Sequence, residues 1–476
     1  MPKRCRPPCS CWHPRAAWRC CGTIPAPRRS SLSTWRRTVT GLWKRDGNMT
    51  DKLHENILRD AWLRRRFLAR LAGVIAGSTL LSGLPWMAPL RAQPVGASPS
   101  DRVRIGVIGI GSRGSLLLQY LLRTPGVEIA ALCDDYPPNL LAAMAAAAGK
   151  PTAFTDYRKL LAMPGLDGVV IATPLHEHAP MCLDALAAGK HVFCEKSLAL
   201  TVDECKAIAR AAQASGRVFQ VGHQRLFSAS FLHAHEVVQT GQLGPITQIR
   251  ASWHRNNDWR RPVPHPALER KLNWRLYRAY SGGLMAELAS HHLQVANWYL
   301  DAAPLSCVGY GSINHWKDGR EVFDNVNVLF RYRDGVTFIY DSLISNRHHG
   351  LEIQVMGPKG TIEGESGKLY LEQPPPAPAI AALVNQIERG SAETLAIGGP
   401  TWKPESKAGT AGQQLRRELG DDDGTILSMA AFANAIRAGR PIPHMIDHAY
   451  RSGIAALMGQ AAMDQGREIA WPGNYN

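Results

Sequence analysis

The chain has 476 residues, enough for two domains and additional segments, and a formal net charge of +16. The charge is uneven, because residues 1–92 carry 18 Lys and Arg against 4 Asp and Glu, whereas residues 93–476 carry 37 against 35. The body of the chain is therefore close to neutral, which argues against a nucleic acid as its partner.

Residues 1–48 are rich in Arg and Pro and have no helical or strand periodicity. They contain five of the ten cysteines, namely Cys5, Cys9, Cys11, Cys20 and Cys21. We interpret this segment as unstructured, or as translated sequence upstream of a true start at Met49. The alternative is a metal-binding or disordered arm.

Residues 49–92 are predicted to be an export signal. The run Arg64-Arg65-Arg66-Phe67-Leu68 precedes an apolar stretch at residues 71–90, a pattern that resembles a twin-arginine signal. The glycines and Pro85 make this stretch a poor membrane span, so no stable membrane insertion is expected after cleavage. The predicted partner is the twin-arginine export machinery, and the predicted location is periplasmic or secreted. A basic amphipathic helix is the alternative, and residues 93–101 are interpreted as a linker.

In residues 102–227, apolar runs alternate with Ala- and Leu-rich helical patterns. This alternation predicts a doubly wound parallel α/β sheet, a Rossmann domain with its ligand at the carboxyl ends of the strands. Residues 228–373 instead contain long alternating runs with turn signals, which predict an open, mainly antiparallel sheet. Residues 374–424 are expected to form an irregular insertion. Residues 425–476 are expected to supply two helices, near 425–437 and 447–465, that pack back on the body.

The segment RIGVIGIGSRG at residues 104–114 predicts a strand, a tight glycine turn and a helix. Gly109 permits the turn, Gly111 lets a diphosphate approach the backbone, and Gly114 lets helix and strand pack closely. A second strand-like run ends in Asp134, placed to accept ribose hydroxyls. The predicted cofactor is NAD rather than NADP, because Asp134 and Asp135 would repel a 2′-phosphate, although Arg113 in the turn is a possible counter-argument. An ordinary glycine-rich turn is the alternative.

Four further motifs follow predicted strands or begin a helix: TPLHEH at 173–178, EKS at 195–197, QVGHQR at 220–225 and GGLMAELASHH at 282–292. With the glycine turn, they resemble the Gfo/Idh/MocA family of sugar and polyol oxidoreductases over about residues 102–370 and the terminal helices. The resemblance implies a Rossmann domain followed by an open-sheet domain that supplies the substrate pocket and often a dimer face. We therefore expect a homo-oligomer formed through the open sheet.

The resemblance also implies catalytic roles. Lys196 would hold and polarise the reacting hydroxyl, His291 would be the general base, and Glu287 would orient the imidazole or bind a neighbouring hydroxyl. These roles suit alcohol oxidation, in which a cation stabilises a developing alkoxide while a neutral base takes the proton. His292 competes with His291 for this role, but the four-residue spacing from Glu287 favours His291.

Two residues depart from the family pattern. The family usually has Pro where this chain has Ser197, which makes the placement of the lysine less certain, since Pro restricts the backbone. It usually has Asp where this chain has Glu287, and the longer side chain can change which hydroxyl is held.

The expected cofactor-binding residues are Gly109, Gly111, Ser112, Arg113, Gly114, Asp134, Thr173, Pro174, His176, His178, Glu195, Lys196 and Gln224. The expected substrate-binding residues are Lys196, Arg225, Trp253, Arg255, Trp259, Trp274, Glu287 and His291. The Trp and Arg side chains suit a carbohydrate pocket, because aromatic faces stack on sugars and Arg binds hydroxyl pairs. The alternative is that half of them pack an interdomain or dimer surface. No metal site is expected. Cys133, Cys182, Cys194, Cys205 and Cys307 are predicted to be buried free thiols.

Three functional hypotheses follow. The first is an exported enzyme that oxidises or reduces a carbohydrate hydroxyl with NAD(H), its cofactor retained and recycled. The second is an NAD-dependent, redox-neutral glycoside-processing enzyme that works by oxidation and elimination. The third is a catalytically silent sugar-binding protein, which the presence of Lys196, Glu287 and His291 disfavours.

Overall fold

A computed structural model describes residues 102–372, 412–416 and 423–475 of the chain. The predicted arm, export signal and linker, and most of the predicted insertion, lie outside the described residues. Two sheets organise the described part. The first sheet is parallel, the second is mainly antiparallel, and this order agrees with the fold class predicted from the sequence.

The first sheet has six parallel strands in the order β3-β2-β1-β4-β5-β6, which is the Rossmann arrangement predicted for residues 102–227. Its strands are β1 (Val103–Ile108), β2 (Val127–Cys133), β3 (Thr152–Phe154), β4 (Gly168–Ile171), β5 (His191–Cys194) and β6 (Phe219–Val221). The short edge strand β3 was not predicted, because its three residues have no apolar run to mark them.

Five helices belong to this domain: α1 (Ser112–Leu121), α2 (Pro137–Ala146), α3 (Tyr157–Leu161), α4 (His178–Ala187) and α5 (Val202–Ser215). Helix α1 packs on the sheet through Leu117, Leu118 and Leu121, which recur at helical spacing. Helix α5 begins with a capping box between Thr201 and Glu204, which satisfies free N–H groups at its first turn.

The second sheet has nine strands in the order β14-β13-β12-β11-β7-β10-β9-β8-β15. They are β7 (Gln248–Asn256), β8 (Ser306–Ser312), β9 (Asn325–Arg331), β10 (Thr337–Leu343), β11 (Ser345–Gly357), β12 (Gly360–Glu363), β13 (Lys368–Leu371), β14 (Gln413–Gln414) and β15 (Ile469–Ala470). Within this second sheet, β7 and β10 are the only neighbouring strands among the described residues that pair in parallel. Burial alternates along β9, where Val326, Val328 and Phe330 face the core, so one face of the sheet is covered and the other is not.

The remaining helices are α6 (Ala229–Gln239), α7 (Glu269–Leu272), α8 (Ser290–Tyr299), α9 (Thr425–Ala438) and α10 (Met445–Gln465), with a π-helical segment at Met285–Ala289 before α8. Helix α9 packs on the Rossmann sheet, with Phe432 edge-on to Phe193 at 5.8 Å between ring centroids. Helix α10 contacts both domains, because Gly453 lies against Leu198 and Gly459 lies against Met285 and Phe330. The terminal helices therefore pack on the body, and the second also joins the two domains.

Part of the predicted insertion is not irregular. Residues 413 and 414 form β14, which pairs with β13 at the sheet edge, and Leu415 is buried beside it. The prediction for 374–424 is wrong at these positions, because polar Gln413 and Gln414 give no strand signal and are held by pairing with a distant partner. Cys133, Cys182, Cys194, Cys205 and Cys307 are buried free thiols, as predicted. No helix in the described ranges has the length and apolarity needed to cross a membrane.

Candidate active site

A cleft of about 1320 Å³ opens at the carboxyl ends of the Rossmann strands and is closed on its other side by the second domain. Ligands bind at this edge in open parallel sheets. The cleft is lined by most residues that the sequence assigned to cofactor and substrate, namely Gly109, Gly111, Ser112, Arg113, Asp134, Thr173, Pro174, His176, His178, Glu195, Lys196, Gln224, Trp253, Arg255, Trp259, Trp274, Glu287 and His291. Gly114 and Arg225 do not line it.

The glycine turn between β1 and α1 has the shape that a diphosphate requires. Gly109 has a positive φ of 80°, and a Cβ on Gly114 would lie 1.9 Å from the Gly109 carbonyl oxygen, so Gly114 serves the packing of helix against strand. Gly111, by contrast, has open space where a Cβ would stand. No side chain caps the N-terminus of α1, whose backbone N–H groups therefore stay available to an anion. These residues fit the diphosphate of a dinucleotide.

Asp134 connects β2 to this turn. Its carboxylate accepts hydrogen bonds from the Ile110 amide at 2.6 Å, the Tyr136 amide at 2.8 Å and the Asn139 side chain at 3.2 Å. The residue is 8% exposed and still lines the cleft. The Asp134 carboxylate, which was predicted to accept the ribose hydroxyls, therefore also fixes the glycine turn. The sequence did not indicate this second function.

Two ion pairs neutralise charges near the cofactor end of the cleft. Arg113 donates to Glu195 at 2.7 Å. The one cation of the glycine turn that could favour the 2′-phosphate of NADP is therefore already paired with a carboxylate. Lys271 lies 2.7 Å from an Asp135 carboxylate oxygen. The sequence reasoning missed Lys271, because it searched only near Asp135 for a cation and this lysine is supplied by the second domain.

Lys196, Glu287 and Arg275 form a charged cluster in the lining of the cleft. The Lys196 amine donates to the Glu287 carbonyl at 3.0 Å and lies 3.6 Å from its carboxylate, which also accepts from Arg275 at 2.9 Å. Burial would raise the pKa of Glu287, but Lys196 and Arg275 outweigh it and lower that pKa, so the carboxylate stays ionised. The Lys196–Ser197 peptide bond is cis, and Lys196 lines the cleft with Ser197 in place of the usual Pro.

His291 reaches the cleft, whereas His292 lies behind it. The π-helical segment Met285–Ala289 carries Glu287 and leads into α8, which carries both histidines; such segments are frequent at functional sites. Burial lowers the pKa of His291 well below its usual value, and nearby Arg225 and Lys196 lower it further. His291 is therefore neutral at pH 7. His292 is fully buried, with Nε2 3.5 Å from a Glu365 carboxylate oxygen.

The predicted substrate role of Arg225 is wrong. A 3₁₀ turn after β6 directs its side chain into the second domain, where its guanidinium pairs with Glu365, so it is buried rather than open to substrate. Burial would raise the pKa of Glu365, but Arg225 and His292 bring it down to about 2. This buried network supports the wall of the cleft. Glu365 was missed because it lies in the turn between β12 and β13, far from any motif.

His178 connects the two loops that follow β4 and β5. Its ring nitrogens lie 3.1 Å from the Thr173 carbonyl oxygen and 2.8 Å from that of Ser197, and burial lowers its pKa. His178 therefore positions the loop of Lys196. His176 also lines the cleft and packs against Tyr280, with ring centroids 4.8 Å apart.

Aromatic and guanidinium groups form the wall beside His291. The Trp253 ring lies 5.5 Å from the His291 ring, with Arg255 5.0 Å from the same indole, and Arg275 lies 4.3 Å from the Trp274 ring. Trp259 lines the same cleft. Flat apolar faces beside polar groups suit sugar recognition. No group of three or more His, Cys, Asp or Glu side chains in the described ranges is placed to hold a metal ion.

The fold and the cleft together define a class, namely an oxidoreductase with an NAD-binding Rossmann domain and a second sheet domain. The chain belongs to the Gfo/Idh/MocA family. Residues 103–223 match "Oxidoreductase family, NAD-binding Rossmann fold" and residues 231–363 match the "GFO/IDH/MocA C-terminal domain", which together cover more than half of the chain.

Among curated relatives, a "Glycosyl hydrolase family 109 protein" of Stenotrophomonas maltophilia is 32% identical over 203 residues, which is 40% of this chain and 42% of the relative. The chain thus matches less than half the length of that relative. Two solved structures share the fold. An aldose-aldose oxidoreductase from Caulobacter crescentus has a TM-score of 0.60 and 20% identity, covering 78% of this chain and 99% of its own. GenD2 from gentamicin A biosynthesis, solved with NAD, has a TM-score of 0.61 and 21% identity, covering 80% and 100%.

Proposed function

We propose that this protein oxidises or reduces a secondary hydroxyl of a sugar or polyol with NAD(H). The observation that carries the proposal is the convergence of Lys196, Glu287 and His291 in the cleft that begins at the glycine turn. The names of the similar proteins, which include sugar oxidoreductases, support the same substrate class.

The side chains divide the chemistry of alcohol oxidation among them. Lys196 holds the reacting hydroxyl and stabilises negative charge on its oxygen, while neutral His291 accepts the hydroxyl proton. Glu287 keeps Lys196 and Arg275 in place, since its carboxylate contacts both. When bound, NAD supplies the acceptor for the hydride that leaves the same carbon. Trp253 and Trp274 offer faces on which a sugar ring can stack.

The test is to replace Lys196 and His291 by Ala in separate variants. Each replacement should lower turnover about 10²- to 10⁴-fold, the usual contribution of a positioned acid or base. Binding of NAD should be nearly unchanged in both, because neither residue belongs to the glycine turn. Full turnover by His291→Ala would contradict the assignment of the base.

A second candidate is a redox-neutral glycoside-processing reaction. It is favoured by the similarity to proteins named glycosyl hydrolase family 109. Product analysis with a panel of free sugars and aryl glycosides separates the two candidates. Release of the aryl group without net change in NAD(H) would favour the second, whereas accumulation of an oxidised sugar would favour the first. Binding of sugars without either product would leave a catalytically silent sugar-binding protein.

We also propose that the chain is exported through the twin-arginine route with its cofactor bound. The motif at Arg64 and Arg65 supports the route, which resembles one that carries folded proteins. Because free NAD is not supplied outside the inner membrane, the enzyme would retain its cofactor and restore its redox state on the same molecule. Protein purified without added nucleotide should then contain close to one NAD(H) per chain.

Export is tested with the double variant Arg64→Lys and Arg65→Lys, which keeps the charge but removes the guanidinium pair. The double variant should accumulate inside the cell, and normal secretion would identify an ordinary signal peptide. Empty cofactor sites in freshly purified folded protein, with activity proportional to added NAD, would instead favour a plain soluble dehydrogenase.

Two copies of the chain are further proposed to associate through the uncovered face of the second sheet. Val308 and Leu329 pair across β8 and β9 on this face, beside Tyr310, which is 83% exposed. Exposed apolar groups side by side favour an interface. Tyr310→Glu should convert a dimer into a monomer in light scattering. A wild-type monomer at micromolar concentration would contradict the proposal.

A further inference from the structure

A segment of the second domain crosses to the Rossmann domain beside the glycine turn. We call residues 257–275, which follow β7 and include α7, the strap. Arg261 of the strap donates through Nη2 to the Ser112 hydroxyl at 2.9 Å. Lys271 lies 2.7 Å from an Asp135 carboxylate oxygen and donates to the Asp135 carbonyl at 3.0 Å. The strap is therefore attached at both the diphosphate turn and the end of β2.

Contacts within the second domain hold the strap in one shape. Arg260 pairs with Glu269 and lies 3.2 Å from Asp318. The Asn273 side chain accepts from the Arg261 amide at 2.7 Å and donates to the Arg261 carbonyl at 3.0 Å. The backbone of Arg261 is thus fixed on both sides, and its exposed side chain reaches Ser112 at the glycine turn.

Arg261 differs from the other Arg and Lys side chains of the strap in its lack of a carboxylate partner. Each of the other four pairs with a carboxylate, namely Arg260, Arg270, Lys271 and Arg275. Among the described residues, no carboxylate lies within ion-pair distance of the Arg261 guanidinium. The Arg261 side chain lines the cleft and stays exposed, and partial desolvation and then nearby Arg275 lower its pKa. A cation in this position is stabilised by a bound anion.

We propose that Arg261 binds the diphosphate of the dinucleotide and completes a site whose other half is the N-terminus of α1. A diphosphate bound at the N-terminus of α1 would lie beside the Arg261 guanidinium, because Arg261 donates to Ser112, the first residue of that helix. Because Arg261 belongs to the second domain, the cofactor bridges the two domains and its release requires the strap to move. This inference rests on the proposed function, in which the cofactor is retained, and it assigns that retention to a named residue.

The test compares two ligands, ADP-ribose and adenosine, by calorimetry on cofactor-stripped full-length protein. ADP-ribose carries the diphosphate and adenosine does not. Arg261→Met, which keeps much of the side-chain length without the charge, should weaken ADP-ribose binding about 10- to 100-fold, as expected for loss of a charge-assisted hydrogen bond. Adenosine binding should be unchanged. Arg261→Lys should recover part of the loss, since Lys keeps the charge but not the paired donors.

Arg467→Met is the matched control, because Arg467 is exposed in the turn after α10 and forms no side-chain ion pair in the described part of the chain. It should bind both ligands as the wild type does. Equal weakening of ADP-ribose and adenosine by Arg261→Met would mean that Arg261 only holds the strap, and unchanged ADP-ribose binding would also overturn the proposal.

The dissociation rate of bound NADH, followed by its fluorescence after addition of excess ADP-ribose, separates this inference from the proposed function. Slow release from the wild type and faster release from Arg261→Met support both. Slow release from both proteins would overturn the role of Arg261 and leave retention intact. Fast release from the wild type would refute retention, while the calorimetric comparison would still decide whether Arg261 binds the diphosphate.

Discussion

Glu287 is the buried carboxylate shared by Lys196 and the partly exposed Arg275, and replacing it by Gln tests the charge arrangement of the site. Its Oε2 lies 3.6 Å from the Lys196 amine and 2.9 Å from the Arg275 Nε. The Glu287 and Lys196 side chains are only 9% and 13% exposed, so solvent screens their interaction weakly. Gln has nearly the same shape, and the substitution therefore removes charge without leaving a cavity.

Removal of one partner from a buried ion pair costs about 3–5 kcal/mol, because the remaining charge is uncompensated. We expect Glu287→Gln to lose about that much free energy of unfolding at pH 7, measured by urea denaturation of the full chain. Glu468→Gln is the matched control, since Glu468 pairs with Arg331 at 3.3 Å in an exposed position. That surface pair should contribute less than about 1 kcal/mol.

The pH dependence gives a second check with a defined sign. The pKa of Glu287 is lower in the folded protein than the usual 4.5, so its charge stabilises the fold fully above pH 4.5. This contribution disappears as the pH falls below 4.5 and through the folded-state pKa. The difference between wild type and Glu287→Gln should therefore be largest at neutral pH and should shrink below pH 4.5. A variant as stable as the wild type at pH 7 would refute the reasoning.

Three further predictions concern the cofactor turn and His291. Gly111→Ala should fold normally but bind NAD weakly, because its Cβ would enter open space in the cleft. Gly114→Ala should instead unfold the domain, since its Cβ would lie 1.9 Å from the Gly109 carbonyl oxygen. Circular dichroism measures the folding of each variant, and calorimetry measures its NAD binding. NAD should bind more tightly than NADP, because Arg113 and Lys271 are both neutralised by carboxylates, and the reverse order of dissociation constants would overturn this argument. The plot of kcat/KM against pH should show no fall centred on pH 6.5, since the pKa of His291 is lowered well below that value, and a fall centred there would indicate an unperturbed histidine.

Features that depend on neighbouring residues were predicted from the sequence alone. The alternation of apolar runs and helical patterns predicted the parallel sheet, and the glycine spacing predicted the turn at residues 109–114, because backbone conformation and side-chain periodicity are local properties. The spacing of Glu287 and His291 also indicated that both belong to one site. The π-helical geometry of that segment was not predicted, since nothing in a four-residue spacing distinguishes it from an α-helix.

Contacts between distant parts of the chain were decided by the tertiary structure. Arg225 was predicted to bind substrate, but it packs against Glu365, 140 positions away, and Lys271 reaches Asp135 across 136 positions. The strap brings Arg261 to Ser112 in the same way. Each of these pairs forms because two domains meet at one cleft, and the charges that meet there depend on docking geometry that no local pattern encodes. The sequence by itself determined the class of chemistry, and the packing of the second domain decided which charges are neutralised and which remain open to a ligand.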